Sequence, residues 1–395
     1  MKTAFVLILA FTVINVLATR RVVRSKLSHH RKVLLTTGVW IIPFIGAWTA
    51  YSATAEPAAP PPPAPLRDRE EAPDVIEIAD SSFPVNEHLL NGQGFPILDW
   101  PALATWAETL PEGHRTAALE SGRRAWLLHL RDTLGEHAHL VETKTAWVLS
   151  SYEPKVAEAV ARYVETTRAR ITELLDGIAG FPEGHRSIVL VLDHQDDYYH
   201  YITNYYPDEG EFSYSSGVFI DPGCPHFVTV IDDLSVIEPV IAHEMTHAAL
   251  AYLRLPKWLD EGIAVSTEHR ISTSHHSAQH AIELIGKHRA FWNAETMQQF
   301  WSGSSFDRGD DGNALSYDLA RHIVGLIGRE WSAFTKFVRG AKREDSGAAS
   351  AKAQLDLDLG QLAAAAVGLP ARSEWSPDPA RWERTTATAS QTDPK

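Results

Sequence analysis

The hydrophobic pattern of the chain begins with two long apolar runs, residues 4–18 and 33–55. Because a helix needs about 20 mostly apolar residues to cross the hydrocarbon core of a bilayer, the second run is long enough to span and the first is marginal. The basic residues of the loop between them are Arg20, Arg21, Arg24, Lys26, Arg31 and Lys32. Basic loops stay in the cytoplasm, so residues 1–56 are expected to form a transmembrane helical hairpin with both ends outside.

The alternative interpretation of the first run is a cleaved signal peptide over residues 1–19. The second run follows closely, and no good A-x-A cleavage site is present, which favours the hairpin. Either interpretation predicts that the rest of the chain lies outside the cytoplasm. The expected location is therefore the cell (inner) membrane, with an extracytoplasmic or periplasmic body.

Residues 57–98 are expected to be a Pro-rich and acidic linker. Its first part, P-A-A-P-P-P-P-A-P at 57–65, predicts a stiff, extended polyproline spacer. Residues 66–98 are acidic and show no sustained period. From 99 to 136 the apolar positions, Trp106 and Trp126 among them, indicate a helical N-terminal region.

Residues 137–372 are expected to form one α+β domain in which a small mixed sheet is followed by helices. Strands are expected within 139–150 and at 187–193, 217–221 and 226–232 from their alternating or β-branched patterns. Helices are expected at about 153–178 and from 236 to about 370. Residues 373–395 have the composition of a disordered tail.

The distribution of charge excludes a nucleic-acid partner. Residues 1–65 hold seven of the 36 Lys and Arg residues and one of the 50 Asp and Glu residues, so the rest carries 29 basic and 49 acidic residues. A body this acidic repels phosphate backbones. The single cysteine, Cys224, allows no intrachain disulfide and is expected to be structural.

The segment H-E-M-T-H at 243–247 carries the most informative chemistry. On a helix, His243 and His247 lie one turn apart on the same face and can bind one metal ion, with Glu244 beside them. The spacing of Ser235 and Glu238 resembles a capping box and predicts that this helix begins near residue 236. The next apolar segment, P-K-W-L-D-E-G-I-A at 256–264, offers a third ligand, Glu261.

This pair of motifs resembles the gluzincin zinc metallopeptidases, in particular the peptidase MA-like group, over residues 138–370. The resemblance implies a zincin-like fold, Zn²⁺ bound by His243, His247 and Glu261, and Glu244 as the general base. Thirteen residues separate His247 from Glu261, fewer than in the aminopeptidase and thermolysin groups. Glu268, seven residues after Glu261, is the rival third ligand, although a position behind the ligands is favoured.

The resemblance also implies an oxyanion-stabilising tyrosine on a later helix, and Tyr317 is the candidate; a core-facing tyrosine is its alternative. An edge strand of the sheet, at 217–220 or 226–230, is expected to bind the substrate backbone. The tyrosine-rich segment 196–206 fits a helix with packed rings better than a cleft wall. A calcium loop is less favoured than a solvated loop at Asp307, Asp310, Asp311 and Asn313.

These patterns together predict a membrane-anchored, zinc-dependent hydrolase that cleaves peptide bonds in a protein or peptide substrate. The alternative is a non-catalytic zinc-binding scaffold that binds partners through the same cleft. The intact Glu244 favours the enzyme, because a binding module has no need of a general base. Hydrolysis of another amide, such as a peptidoglycan bond, would use the same chemistry.

Overall fold

The computed structural model describes Thr19 and residues 69–181, 184–206, 217–272 and 278–382, except for the side chains of 278–283. The chain divides after Glu70 into two units, and residues 71–395 contain every element below. The predicted hairpin and polyproline spacer lie outside the described residues, apart from Thr19. Within the described ranges, no helix combines the length and apolar character that crossing a membrane requires.

The prediction that residues 66–98 are linker is wrong from Val75 onward, where the chain forms two β-hairpins. They consist of β1 (Val75–Ile78), β2 (Ser81–Pro84), β3 (Leu89–Gly92) and β4 (Phe95–Leu98), paired β1 with β2 and β3 with β4. The β3–β4 loop is Gln93-Gly94, with φ of 48° and 94°. Two positive φ values suit a tight two-residue hairpin loop, and Asn91 Oδ1 accepts a hydrogen bond from the Gly94 amide at 2.9 Å.

A five-stranded mixed sheet is the centre of the unit, as the strand patterns predict. Its strands are β5 (His139–Glu142), β6 (Ala146–Ser150), β7 (Ser187–Leu192), β8 (Gly217–Ile220) and β9 (His226–Val230), in the order β5-β6-β7-β9-β8. β6, β7 and β9 are parallel, whereas β5 and β8 run antiparallel to their neighbours. β9 is interior and β8 is an edge among the described strands, so of the two expected substrate strands only 217–220 has a side on which no described strand pairs.

The described helices follow the predicted order. They are α1 Trp100–Thr109, α2 Glu112–Leu134, α3 Pro154–Leu174, α4 Gln195–Thr203, α5 Leu234–Leu250, α6 Lys257–Ile271, α7 Ala278–Phe291, α8 Ala294–Ser302, α9 Asp311–Ile327, α10 Trp331–Gly340, α11 Ala348–Leu355 and α12 Leu359–Val367. The tail prediction is wrong at its start, because Trp375 is buried and its carbonyl accepts from Trp301 Nε1. Residues 383–395 lie outside the described residues.

The sheet separates two hydrophobic cores because side chains alternate between its faces. Val148 and Val189 face a core shared with α3, α5 and the later helices. Trp147 and Ile188 face a second core with α2 and the two hairpins. The helical region 99–136 therefore forms, as predicted, but it belongs to the same unit as the sheet. Its helices and the hairpins cover one face, and the helices that carry the candidate site cover the other.

Candidate metal centre

Helix α5 presents H-E-M-T-H on its side toward the edge strand β8. It begins at Leu234 with Asp233 as N-cap, and no side chain caps it, so the predicted capping box of Ser235 and Glu238 is wrong. Pro239 lies inside the helix, beyond the first turn where proline is usually found. The motif itself is fully helical, and Ile241, Met245 and Ala249 are buried against the core.

Helix α6 supplies the third candidate ligand because its apolar face holds it against the core. Trp258, Leu259 and Ile263 are buried, and Trp258 Nε1 donates to the carbonyl of Ser346 at 3.0 Å. This packing leaves Glu261 facing α5. Its side chain is 12% exposed, so a carboxylate is held almost entirely away from solvent.

Three ligand atoms converge between the two helices. Nε2 of His243 and Nε2 of His247 lie 3.1 Å apart, and Oε2 of Glu261 lies 3.3 Å and 3.4 Å from them. Oε2 is buried and accepts no well-aligned hydrogen bond from the described residues. A buried carboxylate oxygen without such a bond is costly, and a bound cation would satisfy it. The structure therefore brings the three predicted ligands together as a candidate metal site.

Two further carboxylates face the outer nitrogens of the histidines. Nδ1 of His247 lies 3.0 Å from Asp260, and Nδ1 of His243 lies 3.2 Å from Glu268. An Nδ1–H that donates to a carboxylate leaves the Nε2 lone pair for a metal, which is the usual arrangement around ligating histidines. Glu268 is thus behind a ligand and outside the convergent set, as favoured from the sequence.

The electrostatics of the site favour a cation. Although burial lowers the pKa of His243, the carboxylates of Glu261 and Glu268 outweigh this effect and raise it to about 9. Burial raises the pKa of Glu261, but His247 and His243 beside it hold that pKa well below its usual range. The carboxylates of Asp260, Glu261 and Glu268 all lie against the two imidazoles, so acidic groups outnumber basic groups at the site.

Glu244 and Tyr317 lie on the wall of the same cleft, a cavity of about 1160 Å³. Burial raises the pKa of the Glu244 carboxyl, and the charges of His247 and His243 oppose that rise. The ring of Tyr317 lies 6.5 Å from that of His243, and burial holds the pKa of its hydroxyl far above the usual range. The edge strand β8 also lines the cleft, through Val218 and Phe219.

The calcium alternative is not supported in this loop, because its side chains have separate partners. Asp307 pairs with Lys257, and Asp311 lies 2.9 Å from Lys287. Asp310 caps α9 by accepting a hydrogen bond from the Gly312 amide.

The tyrosine-rich segment forms a helix whose Tyr198 and Tyr201 are buried, which is the interpretation that the sequence favoured. Cys224 is buried too.

A second group of potential donors, His288, Asp318 and His322, joins α7 to α9. Nδ1 of His288 accepts from Trp292 Nε1 at 2.8 Å, so a neutral imidazole carries its proton on Nε2, which lies 2.9 Å from Asp318. The Arg321 guanidinium also donates to Asp318, at 2.7 Å. Nε2 of His322 lies 2.9 Å from the Arg321 guanidinium, and Nδ1 lies 3.3 Å from Asp318, so the group is a polar link between two helices.

The contact that the sequence pattern did not predict is that of Asp260 with His247. A signal was present, since ligating histidines usually have a carboxylate behind them and Asp260 directly precedes Glu261.

Comparison of the chain with protein-family models, with curated proteins and with solved structures finds no match.

Proposed function

We propose that this chain is a zinc-dependent hydrolase that cleaves peptide bonds, with a zincin-like domain of the gluzincin type. The observation that carries the proposal is the convergence of two imidazole nitrogens and a buried carboxylate oxygen that accepts no well-aligned hydrogen bond from the described residues. Two histidines and one glutamate are a ligand set of catalytic zinc, which keeps a fourth position open.

The spacing of the three atoms supports zinc in particular. Zinc bonds of about 2.0–2.2 Å in a tetrahedral arrangement place neighbouring ligand atoms about 3.3–3.6 Å apart. The three separations here are 3.1, 3.3 and 3.4 Å. A hard cation such as calcium would instead require six or more oxygen ligands.

Zinc in this site would supply Lewis-acid polarisation of a carbonyl and activation of a water molecule. Glu244 then accepts a proton from the attacking water and passes it to the leaving amine. A carboxylate whose pKa is raised by burial suits this work, since it holds the transferred proton more readily than an exposed one. The hydroxyl of Tyr317 stays protonated and donates a hydrogen bond to the oxyanion.

The position of β8 supports a peptide as the substrate. It is an edge among the described strands, on the wall of the cleft, and its backbone groups on the side where no described strand pairs are available to an added strand. A peptide paired with Val218 and Phe219 would pass Glu244. An extended backbone in this position gives affinity without regard to sequence, so side-chain preference must come from elsewhere in the cleft.

The N-terminal apolar runs support a membrane anchor and an extracytoplasmic body for this enzyme. Fusion of residues 1–66 to alkaline phosphatase in a bacterial host tests this part alone. The fusion is expected to be active, and an inactive fusion contradicts the topology without touching the proposed chemistry.

Metal analysis of the purified full-length chain tests the proposed function first. Mass spectrometry is expected to find about one zinc per chain, and His247→Ala is expected to lose it. Absence of zinc after purification without chelators, and again after reconstitution, would contradict the proposal. A stoichiometric zinc that remains without any cleavage of peptide libraries would favour the zinc-binding scaffold.

A further inference from the structure

A second cavity, of about 410 Å³, lies between the first residues of β7 and β9 and the C-terminal half of α5. This volume lies within the range of about 300–1,000 Å³ that is typical of small-molecule sites. Glu244 and Phe219 line both this cavity and the cleft over the metal centre. A group bound in the second cavity would therefore lie next to the catalytic base.

Arginines dominate the charged lining of this cavity. Arg123 and Arg186 share one carboxylate, Glu120, at 3.0 Å and 3.3 Å. Arg254 is exposed at the same cavity, and the acids among the lining residues are Asp221 and Glu244. Neither acid lies within 4.0 Å of a described arginine of the lining, so the guanidinium groups are only partly neutralised.

Arg168 is half-buried, and the charge of Glu120 acts on it as well as on Arg123 and Arg186. Its Nη1 donates to Ser187 Oγ at 3.0 Å, and its guanidinium lies 4.4 Å from the centre of the Phe181 ring. No carboxylate of the described residues lies within 4.0 Å of it, and burial lowers the pKa of its guanidinium. Burial, together with Arg123 and Arg168, also lowers the pKa of His185.

From this lining we infer that the second cavity receives the carboxylate of an acidic side chain, Asp or Glu, of the peptide bound in the cleft. The inference rests on the proposed peptide in that cleft. A guanidinium is a planar fork of N–H groups, and those of Arg168 that Ser187 does not engage match the geometry of a carboxylate. In a body with 49 acidic and 29 basic residues, this cavity offers a cationic point beside the catalytic base.

The test compares two fluorescent peptide mixtures that are randomised except for one central residue, Glu in one and Gln in the other. The full-length chain is expected to bind the Glu mixture about tenfold more tightly, the effect of about 1.4 kcal/mol from a charge-assisted hydrogen bond. Arg168→Gln is expected to abolish the preference. Arg162→Gln removes the same charge from an exposed position of α3 and is expected to keep it.

Arg168→Lys guards against a folding defect, because it keeps the charge but loses the fork. It is expected to retain part of the preference. Equal binding of both mixtures by the unmodified chain, or a preference that survives Arg168→Gln, overturns the inference. Glu183 lies outside the described residues, and Glu183→Gln tests whether its carboxylate binds Arg168 in place of a peptide. A preference for Glu peptides that appears only in this variant would also overturn the inference.

Two measurements separate this inference from its alternatives. The first measurement is the Tm of the chain with glutarate, a free dicarboxylate. If glutarate raises the Tm only when Arg168 is present, and both peptide mixtures bind equally, the cavity is a site for small anions and the inference is overturned. Zinc content and cleavage report the proposed function separately. A chain that binds zinc and cleaves without preference for Glu keeps that function and loses the inference. A chain that shows the Arg168-dependent preference but neither binds zinc nor cleaves peptides keeps the inference and loses the proposed function.

Discussion

Nδ1 of His247 lies 3.0 Å from Oδ2 of Asp260, the residue that directly precedes Glu261 in α6. One turn of α6 thus provides both a candidate ligand and the carboxylate that orients another ligand. The relationship at His243 is similar, with Glu268 two turns further along the same helix. The orientation of both imidazoles therefore depends on how α6 crosses α5.

Asp260→Asn is expected to weaken zinc binding about 10- to 100-fold, the usual effect of removing a carboxylate behind a ligating histidine. A neutral amide oxygen accepts the Nδ1 proton more weakly than a carboxylate does, so the imidazole is held less firmly and its Nε2 becomes less basic. Competition with a chromophoric chelator measures the affinity. Asp307→Asn is the matched control, because it removes the same charge from the cleft wall and its carboxylate pairs with Lys257. Equal affinities of the two variants would contradict the role of Asp260.

Glu244→Gln is expected to keep about one zinc per chain and to lower kcat by about 10²–10⁴-fold, the contribution of a general base. Gln is close in size to Glu, so the cleft keeps its shape while the proton acceptor is lost. Zinc content and turnover of a cleaved peptide are measured on the same preparation. Turnover within a few-fold of the unmodified chain would remove Glu244 from the mechanism.

Tyr317→Phe is expected to lower kcat by about 10²–10³-fold, as the loss of one oxyanion donor does, and to leave zinc content unchanged. Phe keeps the ring contact with Phe306, whose centroid lies 5.1 Å away. Tyr163→Phe is the control, since its hydroxyl donates to the carbonyl of Glu238 at 2.8 Å and does not line the cleft. Equal kcat values of the two variants would show that Tyr317 has a structural role in the core and no part in catalysis.

The two candidate histidine ligands could be predicted from the sequence because their positions depend on local geometry. The helical period alone places His243 and His247 on one face, and the apolar residues Trp258 and Leu259 fix which face of α6 is buried. That burial does not separate Glu261 from Glu268 on the same helical face, and the choice of Glu261 rests on the resemblance of W-L-D-E-G to the gluzincin motif. The strands of the sheet, like the histidines, were predicted from a local pattern, since their β-branched runs are short and lie between turn residues.

The contact of Asp260 with His247 could not be derived in this way, because it depends on the crossing of two helices and on no local period. The two hairpins of residues 75–98 were missed for another reason. Their core contribution rests on few residues, such as Phe83 and Leu98, in an acidic stretch whose average composition is that of a linker. The chain around Trp375, whose composition predicted disorder, is held by that buried ring and by hydrogen bonds between Gln298 and residues 374–382.

Gly262 shows how the glycine of W-L-D-E-G sets the distance between α6 and α9. A Cβ at this position would lie 2.7 Å from the carbonyl oxygen of Ala320 and 2.8 Å from Cγ2 of Val324. The first of these atoms belongs to the backbone of α9, which cannot turn aside as a flexible side chain would. The two helices therefore approach as closely as they do because position 262 has no side chain.

Gly262→Ala is accordingly expected to lower the free energy of unfolding by about 1–3 kcal/mol, the usual cost of overpacking, despite the better helix propensity of alanine. Separation of α6 from α9 also moves Glu261 relative to Tyr317, so zinc affinity and kcat should both fall. Gly325→Ala, in α9 with nothing within 4 Å of the added Cβ, is the control and should stabilise by about 0.5–1 kcal/mol. Urea unfolding of both variants decides the matter: if Gly262→Ala stabilises as Gly325→Ala does, the close approach of the helices does not depend on this glycine.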